Sequence, residues 1–269
     1  IAAGCAPKKP VQVDEGRWEL SYTVAQDQSL AGQSFGIWIA NYGPSPELTV
    51  RSISASENRE KAYVWVWNEE ATERLLATSP QVVPIEEWYP KLVMAIQEGI
   101  KNILLARGAS EVIVHHDIYQ ALPFPIKRRV RLMIEPKLNI SLTDVVTRVA
   151  REHPGTTTVR GHYSLSAAGE LILTEPLTAE TILSVPIRID LKSEDYVWSM
   201  FGGPASDDVE AMLEAGDFQP SDNRPRRKRE VINALFARLM KIADATLRGE
   251  VIHQYDDSID ELKRLRRFH

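Results

Sequence analysis

The chain has 269 residues, 43% of them apolar, and a formal net charge of −5. That size suits one large domain or two small ones, and no apolar run reaches the ~18 residues of a membrane-spanning helix. The single cysteine excludes an internal disulfide and the zinc patterns built on paired cysteines. The charge is unevenly spread. Residues Arg224 to His269 hold twelve Lys/Arg against seven Asp/Glu, a net of +5, which leaves −10 on the rest. An acidic body with a basic C-terminal arm points to an acidic partner or membrane headgroups, or to a solvated helix surface.

At the start, Ile1-Ala2-Ala3-Gly4-Cys5 places small residues before the only cysteine, and a polar Ala6-Pro7-Lys8-Lys9-Pro10 follows. This is the arrangement of a bacterial lipoprotein processing site, although the usual leucine before it is missing. Small side chains admit the peptidase, and the thiol carries the diacylglycerol thioether. The expectation is lipidation at Cys5 with removal of residues 1–4, and a tether through residue 15 that spans roughly 30 Å when extended. Residues 16–269 are then expected to form a single α/β domain.

Trp18 to Val24 alternates and reads as a strand. Further strands are expected at Phe35–Tyr42, Leu48–Ala55 and Ala62–Trp67. Pro84 to Arg107 is the clearest helix, with Leu92, Ile96, Ile100, Ile103 and Leu104 as its apolar stripe. Gly108 is its C-cap, and Glu111–Val114 follows as a strand. Arg129–Leu142 alternates over a long strand. Thr143-Asp144 is read as the cap of a short helix to Glu152, closed by Pro154-Gly155. Thr157–Ser166, Glu170–Thr174 and Ile182–Leu191 are read as a meander, with a hairpin turn at Ala167-Ala168-Gly169. Gly202 to Pro225 is a Gly/Pro/Asp-rich loop. Arg226–Leu247 is a long helix, and Ile259, Leu262, Leu265 and Phe268 mark a trailing amphipathic one. The fold class expected is α+β: a largely antiparallel twisted sheet packed against a few helices, with a long C-terminal helix and the trailing helix after it.

Catalytic and metal signatures are weak. His115-His116-Asp117 closes a strand, but adjacent strand residues point to opposite faces and do not grip one metal. His153, His162, His253 and His269 lack ligand spacing. The glycines form no phosphate loop, and the pairs Glu69-Glu70 and Glu86-Glu87 suit helix starts. Arg224 to Arg229 could meet nucleic acid or anionic lipid, yet so much positive charge at a helix start calls for a nearby acidic partner such as Asp207-Asp208. Trp38, Trp65, Trp67, Trp88 and Tyr63 suit core packing, or an oligomer surface where exposed. No enzyme activity, cofactor, metal or nucleic acid is expected.

Four stretches resemble the neuraminyllactose-binding haemagglutinin family, the flagellar sheath adhesins. They are Leu20-Ser21-Tyr22 soon after the cysteine, and the helix from Trp88-Tyr89 to Leu105-Ala106-Arg107-Gly108 with its Val112–Val114 strand. The others are Leu171 to Thr181, with its Glu175-Pro176-Leu177-Thr178-Ala179-Glu180 turn, and the helix Val231–Leu247 with its charged trailer to Arg267. The resemblance implies an outer-membrane lipoprotein, palmitate-bearing at Cys5, acting in assembly or adhesion at the cell surface or flagellar sheath. Its implied partners are membrane lipid, further copies of itself, and envelope or flagellar proteins. A lysine-rich segment tied to sialylated glycans in that family corresponds here to Ser141–His153, which has Arg148 and Arg151 and no lysine cluster, so sugar binding is not carried over. The alternative reading is an auxiliary periplasmic lipoprotein of a transport or secretion complex.

Overall fold

The computed structural model describes residues 12–38, 61–65, 88–115, 122–153, 156–201 and 221–265. Nine strands among them join in one mixed sheet. They are β1 (Gln12–Val13), β2 (Ser34–Trp38), β3 (Lys61–Trp65), β4 (Glu111–His115), β5 (Leu132–His153), β6 (Thr156–Glu175), β7 (Glu180–Lys192), β8 (Tyr196–Phe201) and β9 (Ser221–Asp222). The helices are α1 (Trp88–Ala106), α2 (Phe124–Arg129), α3 (Arg224–Thr246), α4 (Gly249–Ile252) and α5 (Asp256–Leu265), with a 3₁₀ turn at His253–Tyr255. The class is α+β, as expected.

The spine is the antiparallel pair β5–β6, paired from Met133 opposite Thr174 to His153 opposite Thr156, with register shifts at Val146/Arg148 and Arg151/His153. Each long strand serves two shorter neighbours end to end. On its free edge β5 takes β2 in parallel at Leu132–Ile134 and β3 antiparallel at Leu142–Val146. On the other side β6 takes β8 at Thr156–Gly161 and β7 at Ser164–Glu175. β4 extends the β2 edge in parallel, and β9 and β1 extend the β8 edge.

α1 and α3 lie side by side over one face of this sheet. Leu92, Ile96, Ile100, Ile103 and Leu104 from α1 meet Val231, Leu235, Phe236, Leu239 and Met240 from α3 in the main core, with Leu132, Ile134, Leu165, Leu171 and Leu173 beneath. The helices approach closely at Gly99, where a Cβ would lie 2.2 Å from Met240 Sδ. The short α2 covers the opposite face near β2 and β4, packing Ile126 on Leu122, Val130 and Met133. Alternation along β5 therefore sends Leu132 and Ile134 one way and Met133 the other.

Four expectations are corrected. Trp18–Val24 is extended and alternates in burial, but it pairs with no strand, because its apolar side chains rest on helices rather than beside a sheet edge. Thr143–Glu152 is not a helix. β5 runs through it to His153, because Val145, Val146, Thr147 and Val149 are β-branched and a full-length partner strand awaits them. Ala167–Gly169 is not a turn. The ladder passes straight through it, held by β5 and β7 on either side, with Gly169 at φ 153° where a Cβ would strike Lys137 O at 2.0 Å. Arg129 closes α2 and does not start a strand. The expected helices at 84–107, 226–247 and 259–268 appear as α1, α3 and α5, as far as each is described. Leu48–Ala55, Glu69-Glu70, Glu86-Glu87 and residues 202–220 of the expected 202–225 loop lie outside the described residues, while the end of that loop is instead β9 and the first turn of α3, which starts at Arg224.

Candidate functional site

The residues with the densest specific contacts are the N-terminal strap, 12–30, and the helix beneath it. α3 opens Arg224-Pro225-Arg226-Arg227-Lys228-Arg229. Proline suits a first turn, but five cations there oppose the helix dipole. The structure supplies acids around them. Arg224 pairs with Asp222 at 2.5 Å, Arg226 with Asp14 at 3.0 Å and Glu230 at 2.8 Å, Arg227 with Glu194 and Glu230 at 2.7 Å, and Arg229 with Glu15 at 3.3 Å. The expected acidic partner is thus distributed over both sides of the helix start, while Asp207-Asp208 lie outside the described residues. The Arg226 hydrogen bond holds Asp14 below the usual carboxylate range. Partial burial works against ionised Glu230, but Arg227 and Arg226 keep it low as well.

From there the strap runs along α3 toward its C-terminus. Asn233 Nδ2 donates to Arg17 O at 2.9 Å and its Oδ1 accepts from Glu19 N at 3.1 Å. The Trp18 ring lies 5.4 Å from the Arg229 guanidinium and 5.9 Å from Lys91 Nζ. Trp18, Leu20, Tyr22 and Val24 pack on the main core, while Arg17, Glu19, Ser21, Thr23 and Ala25 stay exposed. A shallow groove of about 730 Å³ lies between strap and helix, lined by Gly16, Arg17, Glu19, Ser21, Ala234 and Ala237 among others.

The far end of the strap is fixed by a buried arginine. Arg107 reaches Asp27 Oδ2 at 3.1 Å, Asp244 Oδ1 at 2.5 Å and Asp244 O at 3.1 Å. Tyr22 Oη donates to the other oxygen of Asp244 at 3.3 Å. Gly108, at φ 88°, ends α1 directly beside Gln28. Beyond it, His253 bridges Asp256 Oδ2 at 2.7 Å and Ser29 O at 2.8 Å. Asp256 also takes Arg131 at 2.6 Å. The stretches Leu20–Tyr22, Leu105–Gly108 and Val231–Leu247, separate in sequence, therefore meet at one place. The remaining one, Leu171–Thr181, is the end of the β6–β7 hairpin with its turn at Pro176–Ala179. Glu175 is fully buried and its Oε2 accepts from Leu177 N, Thr178 N and Thr178 Oγ1 at 2.8–3.0 Å.

A second polar cluster sits under the first turns of α3. Tyr196 Oη donates to Asp144 Oδ1 at 2.5 Å, and Tyr163 stacks on Tyr196 with centroids 5.3 Å apart. Arg224 covers Trp198 at 4.0 Å and Lys228 covers Tyr163 at 5.5 Å. Burial raises the Asp144 carboxyl and the Tyr196 phenol alike. The pair can hold β5 to β8 across Gly161. Sequence reading missed this cluster, since Asp144 passed for a helix cap.

Of the residues singled out in the sequence, Cys5, His116, Asp117, Trp67 and His269 lie outside the described residues. His115 ends β4 and His153 ends β5, far from His253 in the chain. No group of three His, Cys, Asp or Glu suited to a metal occurs among the described residues, and no described helix is long and apolar enough to cross a membrane.

No known family pattern matches the chain, and no curated protein does. Solved structures do. The chain is similar in fold to a neuraminyllactose-binding haemagglutinin homologue from Helicobacter pylori. The match has a TM-score of 0.51 at 13% identity and covers 91% of this chain and 98% of that one. A DUF330 protein from Xanthomonas campestris matches over 93% of this chain and 99% of its own, at 13% identity, but superimposes loosely with a TM-score of 0.28. The likeness to the haemagglutinin homologue extends over most of both chains rather than over a fragment.

Proposed function

We propose that the chain is a non-catalytic, lipid-anchored protein of the bacterial outer membrane, acting in assembly or adhesion at the cell surface or flagellar sheath. The observation that carries this reading is the end-to-end similarity in fold to the haemagglutinin homologue. The Cys5 context supplies the anchor. Two or three acyl chains hold a protein stably, at about 0.8 kcal/mol per buried CH₂, where one holds it marginally.

The strap gives the anchor a mechanical sense. A chain pulled at residue 5 loads the β1–β9 pairing first, and directly behind it Asp14 and Glu15 are tied to Arg226 and Arg229. Arg107 resists at the other end. The ion pairs behind β1 thus pass load from the sheet edge to α3.

The test is location. The native protein is expected in the outer-membrane fraction, with immunogold label on the surface or on a sheathed flagellum, and the Cys5→Ser protein in the soluble fraction. Wild-type protein recovered soluble would sink the proposal. Co-purification with a fixed inner-membrane or secretion complex would favour the transport-auxiliary reading instead.

A further inference from the structure

We infer that the α2–α5 end of the molecule is a docking surface for an anionic lipid bilayer. The basic start of α3, the obvious candidate in the sequence, is occupied by its own acids. The opposite end is different. Lys263 Nζ donates to Val130 O at 2.5 Å and to Arg128 O at 3.5 Å, which brings the last turn of α5 against the end of α2. Two of the exposed large apolar side chains stand on these two helices: Phe124 at 60% and Leu265 at 57% exposure. Ile126 faces the core. Phe124 and Arg128, one turn apart, share the opposite face of α2.

The charge around this apolar pair is mainly positive: Asp256 and Asp260 on α5 are held by Arg131, and Glu261 is the one exposed acid a turn back from Leu265. Lys127, Arg128 and Arg129 close α2, and Lys263 and Arg264 close α5. Arg129 is paired with Glu111. Arg128 and Arg264 are exposed, with side chains that have no partner among the described residues. Exposed Phe and Leu rimmed by Arg match a surface whose outer layer is anionic and whose next layer is apolar, which is a headgroup interface. An acidic protein would satisfy the cations and leave the apolar tips in water.

This contact is independent of acylation at Cys5. Should both operate, geometry sets the posture. α3 has 23 residues and is about 34 Å long at 1.5 Å per residue. The strap leaves from its N-terminal end, whereas the α2–α5 surface lies past its C-terminal end. The seven residues from Cys5 to β1 reach about 24 Å. Both contacts fit one bilayer with α3 lying along it, not standing on it.

The test uses purified Cys5→Ser protein, so that no acyl chain contributes, in sedimentation with phosphatidylcholine vesicles that contain or lack phosphatidylglycerol. Binding is expected only with phosphatidylglycerol, and is expected to fall as salt rises. Arg128→Ala/Arg264→Ala is expected to lose about thirtyfold in partition, each basic residue being worth roughly 1 kcal/mol near such a surface. Phe124→Ser should weaken the binding that persists in salt. Arg188→Ala, on exposed β7, should change nothing. Equal partition to both vesicles, or full binding by the double variant, would overturn the inference. So would retention on polyglutamate without vesicle binding, which would assign the surface to an acidic protein. None of these failures touches the acylation of Cys5.

Discussion

Three side chains define what single residues do here. His253 contacts a carboxylate through Nδ1 and a backbone carbonyl through Nε2, and both partners only accept. Both ring nitrogens must carry protons, so the bridging form is the imidazolium. The Asp256 and Ser29 hydrogen bonds accordingly raise its pKa above 6.5. Asp256 is partly buried, yet Arg131 and His253 hold it below 3.8. A raised imidazole contributes stability fully below 6.5 and loses it as pH climbs through the folded value, while a lowered carboxyl loses its contribution as pH falls through its own. The stability gap between wild type and His253→Ala should therefore be widest between about pH 4 and 6.5 and close on the alkaline side. Denaturant titrations across pH would show it, and a gap that grows toward pH 9 would contradict it. Glu175 is the second case. Removing its buried carboxylate strips three hydrogen bonds from one turn, so Glu175→Ala should cost about 3 kcal/mol in urea unfolding. Its neighbour Ala179 sits at φ 61°. Ala179→Gly should be neutral or stabilising by up to about 1 kcal/mol.

At the scale of elements, the strap beyond β1 runs without a ladder. Among the described residues, its backbone makes no hydrogen bond between Leu20 and Gln26, although every second side chain is packed. Amide exchange should therefore be fast across Leu20–Gln26 and slow in β5 and β6, even though Tyr22 and Val24 are half-buried. Slow exchange in the strap would mean that it pairs in a sheet. In the spine, Gly161 faces Val145 O and Tyr196 Oη, both 2.4 Å from where a Cβ would sit. Gly161→Ala should cost about 3 kcal/mol, by forcing β6 away from β5 or Tyr196 off Asp144. These elements also show what the sequence could reveal. α1, α3 and α5 were legible because a 3.6-residue apolar stripe has one explanation. The alternation of Trp18–Val24 revealed the buried face but not the partner, since a helix pair and a sheet edge select the same side chains. Thr143-Asp144 misled because a local cap signal competes with a partner strand 20 residues on, and only the tertiary pairing settles that contest.

For the whole molecule, the sheet and its two helices form a platform with two distinct poles. One carries the strap exit and a cation cluster with four arginines matched to acids, and the other carries exposed Phe124 and Leu265 among basic residues, of which Arg128 and Arg264 meet no acid among the described residues. Composition alone showed a basic arm but not which acids neutralise the four arginines at its start, because Asp14, Glu15 and Glu194 come from distant parts of the chain. The meeting of Leu20–Tyr22, Arg107–Gly108 and Asp244 was equally hidden as geometry, although each stretch stood out in the sequence. The central claim is the covalent anchor, and it rests on one atom. Intact-mass and peptide analysis of the protein extracted from native membranes tests it most directly. The account predicts a chain beginning at Cys5 with a diacylglyceryl thioether on its sulfur and an acyl chain on its amine. A chain that retains Ile1 to Gly4 and an unmodified Cys5 thiol would contradict it.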